Sequence, residues 1–225
     1  MSLSRRALAI AQKDLRAEWR DRESVTVMAY FAFLVLVLFA FALGGEPALL
    51  RGAGAGLFWL AVTFTSVLGL GRSVQSEMEH GCLDGLLSYP AAMEAVYVGK
   101  FLSNLAVLLA VELVSLPLFA VLYSLERWSA LPMLLLVALP ATLGFAAAGT
   151  LLSTMTAGLR AREALLPFLL FPITIPLLLA AVKSTEIVLQ GDPLARTLPW
   201  LKLMGAFDVL VLVIAVLTFE YLVEE

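Results

Sequence analysis

The sequence predicts an all-α integral membrane protein, on three observations. Of its 225 residues, 61% are hydrophobic and 15% are charged, with a mean hydropathy of +0.96, well above the roughly 45–50% apolar content of soluble domains. The apolar residues gather into six runs, each near the length of about 20 residues that lets a helix cross roughly 30 Å of hydrocarbon with its backbone satisfied internally. Lysine and arginine alternate in density between those runs. A single cysteine and a single histidine make neither an internal disulfide nor a multi-histidine metal site. A net charge of −3 offers no basic surface to nucleic acid.

The chain reads as one transmembrane domain, 1–225. Residues 1–24 come first as an interfacial helix. Leu8, Ala11, Leu15 and Trp19 recur at helical spacing, with Arg5, Arg6, Lys13, Arg16 and Arg20 mostly on other faces, which suits a helix lying in the headgroup region of the bilayer. No cleavable signal peptide is expected, because the start is charged and the first apolar run exceeds an h-region of about 7–15 residues. The six spans are expected at 25–43, 53–71, 101–123, 131–152, 164–182 and 203–223. Ten of the 15 lysines and arginines fall in the N-terminal segment and in the connections after the second and fourth spans. The positive-inside rule therefore places both termini and the 72–100 segment in the cytoplasm, leaving 183–202 as a long external loop.

Proline and glycine punctuate the spans. In "LLPFLLFPITIPLLL", Pro167, Pro172 and Pro176 each remove a helical hydrogen bond, so the fifth span is expected to be kinked or split in two, either shaping packing or forming a moving element. Gly52 and Gly56 in "GAGAG" fit the small-residue pattern of close helix pairs, serving either a neighbouring helix or a second copy of the chain. Two carboxylates lie inside apolar runs, Glu112 in the third and Asp208 near the outer end of the sixth. Burial in lipid is costly for an ionised carboxylate, so each should face protein or water, protonated or paired. Glu112 is then either a functional intramembrane group or a packing contact that bonds a carbonyl freed near Pro117.

The polar stretch "SEMEHGCLDGLLSYP", residues 76–90, holds the only histidine and the only cysteine. It lacks a second cluster to complete a catalytic site, so no catalytic, cofactor-binding or metal-binding residues are assigned. Gly99 and Lys100 do not make a P-loop, because Glu94 stands where the first glycine belongs and Phe101 where serine or threonine belongs. Leu83, Leu86 and Leu87 instead fall at i, i+3, i+4, and Pro90 ends the run. That pattern suits a short amphipathic helix docking into a groove on another protein.

The stretch "EMEHGCLDGLLSYP" followed by "GK" resembles the E-x-E-x-G-T-L-x-x-L-L-x-x-P…G-K region of ABC-2 type transporter membrane subunits. Within them, "FWLAVTFTSVLGLGRSVQSEMEHGCLDGLLSYP" and "TLGFAAAGTLLSTMTAGLRAREALLPFLLFPITIPLLLAAV" resemble the haem exporter protein B family, with Cys82 where the superfamily has threonine. The resemblance implies an ABC-2 type exporter fold in the bacterial inner membrane. It also implies a short cytoplasmic coupling helix between spans two and three, gripped by a dimer of a separate ATPase. Glu77, Glu79, Gly81, Leu83, Leu86, Leu87 and Pro90 match the motif, with the three leucines as the ATPase contact. ATP would be bound by that partner, haem would be cargo rather than cofactor, and other haem-handling membrane proteins would complete the complex. With its one imidazole at His80 in the cytoplasmic segment, the chain has no histidine in a span or outside to ligate haem. A general ABC-2 exporter of a lipid, drug or glycan is the alternative, and a scaffold that only recruits haem-handling partners is a third.

Overall fold

A computed structural model describes residues 3–21, 23–44, 46–79, 93–123, 128–156, 159 and 161–222, and every described element is helical. The order is α1 (Leu3–Asp21), α2 (Glu23–Ala42), α3 (Pro47–Glu79), α4 (Met93–Leu122), a short 3₁₀ turn (Trp128–Ala130), α5 (Leu131–Thr156), α6 (Arg162–Gln190) and α7 (Leu194–Leu222). Six of these helices, α2 to α7, are long and apolar enough to cross a membrane, matching the six predicted runs.

α5 is the centre of the bundle. It packs against α3, α4, α6 and α7, while α2 rests on α3 and α4, and α1 lies on α4. Small residues make this possible: Ala141, Gly144, Ala146, Ala147, Ala148 and Gly149 of α5 are all buried, which lets neighbouring backbones come close. Two apolar clusters fill the interior. The one at the end opposite α1 is built around Phe58, Trp59, Phe119, Tyr123 and Phe145. Its rings meet at centroid distances of 5.4 Å for Phe58–Trp59, 5.0 Å for Phe58–Phe119 and 4.9 Å for Phe119–Tyr123. The other, at the α1 end, gathers Met28, Leu70, Tyr97, Phe101, Leu152 and Leu170.

Three expectations change. The proline-rich fifth span is not split: α6 runs unbroken from Arg162 to Gln190 with Pro167, Pro172 and Pro176 inside it. Each proline deletes one rung of the ladder, and the remaining rungs keep the helix whole where no water competes for backbone groups. The external loop at 183–202 shrinks to a turn at 191–193, with α6 reaching Gln190 and α7 starting at Leu194. Four of its charges pair off, Lys183 with Glu186 within α6 at 2.8 Å and Arg196 of α7 with Asp192 of the turn at 2.5 Å. Gly191, at φ 76°, makes the sharp stop, donating its N–H to Val188 O at 3.1 Å while Asp192 N–H bonds Ile187 O at 3.2 Å, the pairing of a left-handed helix cap. Finally, within the chain it is Gly54 of "GAGAG" that accommodates a neighbouring helix. A Cβ there would lie 3.1 Å from Tyr123 Cδ1, whereas one at Gly52 or Gly56 would meet nothing within 4 Å.

Candidate functional site

A polar group inside an apolar bundle must find a partner or cost several kcal/mol, roughly 2–7 by transfer scales. The interhelical polar contacts therefore show where the helices are held. α4 carries most of them. Tyr97 donates to Ala147 O at 3.2 Å, Asn104 Nδ2 donates to Thr150 Oγ1 at 2.9 Å, and Tyr123, just past its end, donates to Leu36 O at 3.2 Å. On the far side of the bundle, Trp59 Nε1 of α3 donates to Thr185 Oγ1 of α6 at 2.8 Å.

The two intramembrane carboxylates both face α5. Glu112, 3% exposed, lies about two-thirds along α4 and accepts a hydrogen bond from the Thr142 hydroxyl of α5. Its partner is thus a neighbouring helix and not a carbonyl freed near Pro117. Asp208 lies midway along α7 rather than near its outer end, because α7 begins at Leu194. It is buried against Gly144, where a Cβ would come within 2.6 Å of Asp208 Oδ1 and 2.8 Å of Leu177 Cδ2. Glu112 Oε1 and Asp208 Oδ1 have no hydrogen-bond partner among the described residues. α5 is flanked at mid-depth by two buried carboxyl groups from opposite neighbours.

The prolines of α6 do not join this layer. Pro172 and Pro176 are exposed, on the same outward side as Phe168, Ile175 and Leu179. The structure brings Glu112 to Thr142, and places Pro172 and Pro176 on the outward side, while Pro167 is half-buried near the start of α6.

The α1–α4 junction was not legible as a site. α1 divides into three faces. Ala7 and Ala11 are buried and Asp14 and Glu18 are half-buried on the side toward the bundle. Leu8, Leu15 and Trp19 fall within about 40° of one another at about 100° per residue, and Trp19 is 75% exposed. The arginines and Lys13 occupy the remainder. Of the predicted apolar stripe, then, Ala11 turns to protein and Leu8 and Trp19 turn away from it. The seat for α1 is the Gly99–Lys100 pair that failed as a nucleotide motif. A Cβ at Gly99 would lie 2.8 Å from Ile10 Cβ and 2.9 Å from Ala7 O, so only glycine admits α1 at this distance. Lys100, 5% exposed, places its ammonium 3.7 Å from Asp14 Oδ2. Further along, Glu18 accepts the Val25 N–H at 3.2 Å, satisfying one of the four orphan donors at the start of α2.

The predicted coupling residues divide between two places. Glu77 and Glu79 are on the last turn of α3, which continues past the expected end of its span. Gly81, Leu83, Leu86, Leu87 and Pro90 lie outside the described residues. The chain is helical from Met93 onward, so the seat of α1 is the second turn of α4.

The family model described as "CcmB protein" matches residues 5–224 of this chain. The chain is similar to proteins named heme exporter protein B. That of Pseudomonas aeruginosa is 31% identical over 188 residues, 83% of each chain. That of Rhodobacter capsulatus is 31% identical over 202 residues, 88% of this chain and 89% of the relative. That of Escherichia coli (strain K12) is 31% identical over 178 residues, 79% and 80%.

Proposed function

Because the chain belongs to the CcmB protein family, we propose that it is the membrane subunit of an ABC transporter acting in haem export for cytochrome c maturation. It performs no chemistry of its own and is driven by ATP hydrolysis in a separate, dimeric cytoplasmic ATPase. The observation that carries this reading is the "EMEHGCLDGLLSYP…GK" pattern within a chain that the family model matches from residue 5 to 224. Haem is the cargo of the complex, delivered outward or released with a haem-loaded chaperone. Other haem-handling membrane proteins complete the assembly, a second copy of the chain is a further partner, and the protein sits in the bacterial inner membrane with both termini cytoplasmic. In that orientation the Leu8, Leu15 and Trp19 face of α1 meets the bilayer interface.

Hydrolysis does work only if the bundle has two arrangements that the ATPase favours unequally. Leu83, Leu86 and Leu87 make the apolar contact with the ATPase, with Glu77, Glu79, Gly81 and Pro90 framing it. Movement of this segment is handed directly to α4, which begins three residues after Pro90. α4 carries α1 on Gly99 and Lys100, and its Glu112 grips α5 through Thr142. With α6 continuous, the lever in this mechanism is α4 rather than a hinge at Pro167, Pro172 and Pro176.

Replacing Leu86 by aspartate tests the coupling directly. A charge in an apolar docking groove should remove the ATPase from a mild-detergent purification and abolish cytochrome c maturation, while the variant still inserts in the membrane at normal levels. Normal co-purification with normal cytochrome c would contradict the assignment.

A further inference from the structure

α1 keeps its charges on two opposite faces. Toward the bundle, Asp14 stands 3.7 Å from Lys100 and Glu18 accepts the Val25 N–H at 3.2 Å, beside the buried Ala7 and Ala11. Arg5, Arg16 and Arg20 are nine residues from Asp14, Ala7 and Ala11 respectively. Nine residues make about two and a half helical turns, so the three arginines line the face directly away from the bundle. All three are exposed, and none forms an ion pair among the described residues. Arg16 and Arg20 are also one turn apart, a spacing at which like charges repel. Asp14 and Glu18 are turned the other way and do not relieve that repulsion. The Leu8, Leu15 and Trp19 face lies between these two. Leu8 is three residues from Arg5 and Trp19 three from Arg16, about 60° round the helix in each case. With the apolar face set in the bilayer interface, the arginines point sideways within the headgroup layer, away from the bundle.

We propose that Arg5, Arg16 and Arg20 form a binding face for the headgroups of anionic phospholipids in the leaflet on which α1 lies. A guanidinium matches a phosphate by shape and charge. Every phospholipid carries a phosphate, but a choline headgroup brings a cation of its own, whereas a headgroup with net negative charge balances the arginines. A lipid fits this face better than an acidic protein surface does, because the arginines adjoin the apolar face along the helix. Acyl-chain and headgroup contacts are thus offered side by side. α1 is then held from two sides, by lipid at its arginines and by its seat on Gly99 and Lys100 of α4. The proposal rests on the interfacial placement of α1 and on neither the haem nor the ATPase assignment.

The test uses the full chain in phosphatidylcholine vesicles, into which brominated phosphatidylglycerol or brominated phosphatidylcholine is titrated, since bromine quenches tryptophan on contact. Trp19 is one of four tryptophans, so its signal is the difference between the chain and Trp19→Phe. Both lipids should quench it, the phosphatidylglycerol at a mole fraction at least about threefold lower than the phosphatidylcholine. Raising salt from about 0.05 M to about 1 M, where the Debye length falls to about 3 Å, should shrink that difference. Arg5→Gln, Arg16→Gln and Arg20→Gln together should erase it. Should the triple variant not fold, Arg16→Gln alone decides, and should lower the preference by about half. Quenching by the two lipids at equal mole fractions, or a preference unchanged by the arginine substitutions, would leave the apolar face in the interface, assign the arginines to an acidic protein surface and overturn the proposal. Quenching by neither lipid would overturn the interfacial placement of α1 and the proposal with it.

Discussion

α2 and α5 are both membrane-length apolar helices, and they are used in opposite ways. α2 is the most hydrophobic of the six spans, yet 17% of its most apolar window is buried against protein, compared with 56% for α5. α2 points Tyr30, Phe33, Leu34, Leu38 and Phe41 outward, while α5 buries alanine, glycine and threonine. Lipid tails are as apolar as leucine, so burying a large side chain gains no hydrophobic free energy here. What brings helices together is close packing and polar contact. In this molecule residue size and sparse polar groups mark the interior, and hydropathy marks only membrane depth.

Substitutions that interfere with packing around α5 should be the most damaging. Gly144→Val pushes side-chain carbons into Asp208 and Leu177, where even a Cβ would be 2.6 Å from a carboxylate oxygen. A cost of about 3 kcal/mol, the upper part of the overpacking range, should appear as a large fall in folded yield and thermal midpoint. Gly99→Ala comes next, at about 2 kcal/mol, because the obstructing atoms are Ile10 Cβ and a backbone oxygen that move only with the helix. The readout is limited trypsin cleavage at the arginines of α1, which should speed up while the spans stay protected. Thr142→Val removes the hydroxyl that holds Glu112 and should cost about 1 kcal/mol, the scale of interhelical hydrogen bonds in membranes. Thr142→Ser should recover most of that loss. At the other pole, Leu38→Ala, at a site 66% exposed on α2, should change stability by less than about 0.5 kcal/mol. A Leu38→Ala loss as large as that of Gly144→Val would break the contrast between the two helices.

The count and order of the spans were legible because a run of about 20 apolar residues has few other uses. Helix ends were less so. Lys183, Arg196 and Lys202 suggested a loop because charge usually leaves the bilayer. Instead α6 runs on to Gln190 with Lys183 paired to Glu186 inside it, Asp192 in the turn pairs with Arg196 at the start of α7, and the break narrows to 191–193. The prolines of α6 suggested a break because propensity is a local signal, whereas the rest of the helical ladder holds the helix together. Glu112 stood out in the sequence, but Thr142 did not, since a lone threonine among alanines and leucines carries no pattern. Gly99 and Lys100 were visible only as a failed phosphate motif. Their role as the seat of α1 depends on Ile10 and Asp14, which lie some 90 residues earlier and cannot be paired with them by spacing.

If this subunit is moved by an ATPase gripping residues 77–90, that ATPase should stay with it through gentle extraction. The decisive measurement is a mild-detergent purification of the tagged protein from its native membrane, with partners identified by mass spectrometry and the eluate scanned for haem absorbance. An ABC ATPase should be recovered together with haem-handling membrane proteins. An ATPase recovered without haem-handling partners would contradict the haem assignment in favour of a general exporter. Recovery of no ATPase at all would contradict the coupling role of residues 77–90 itself.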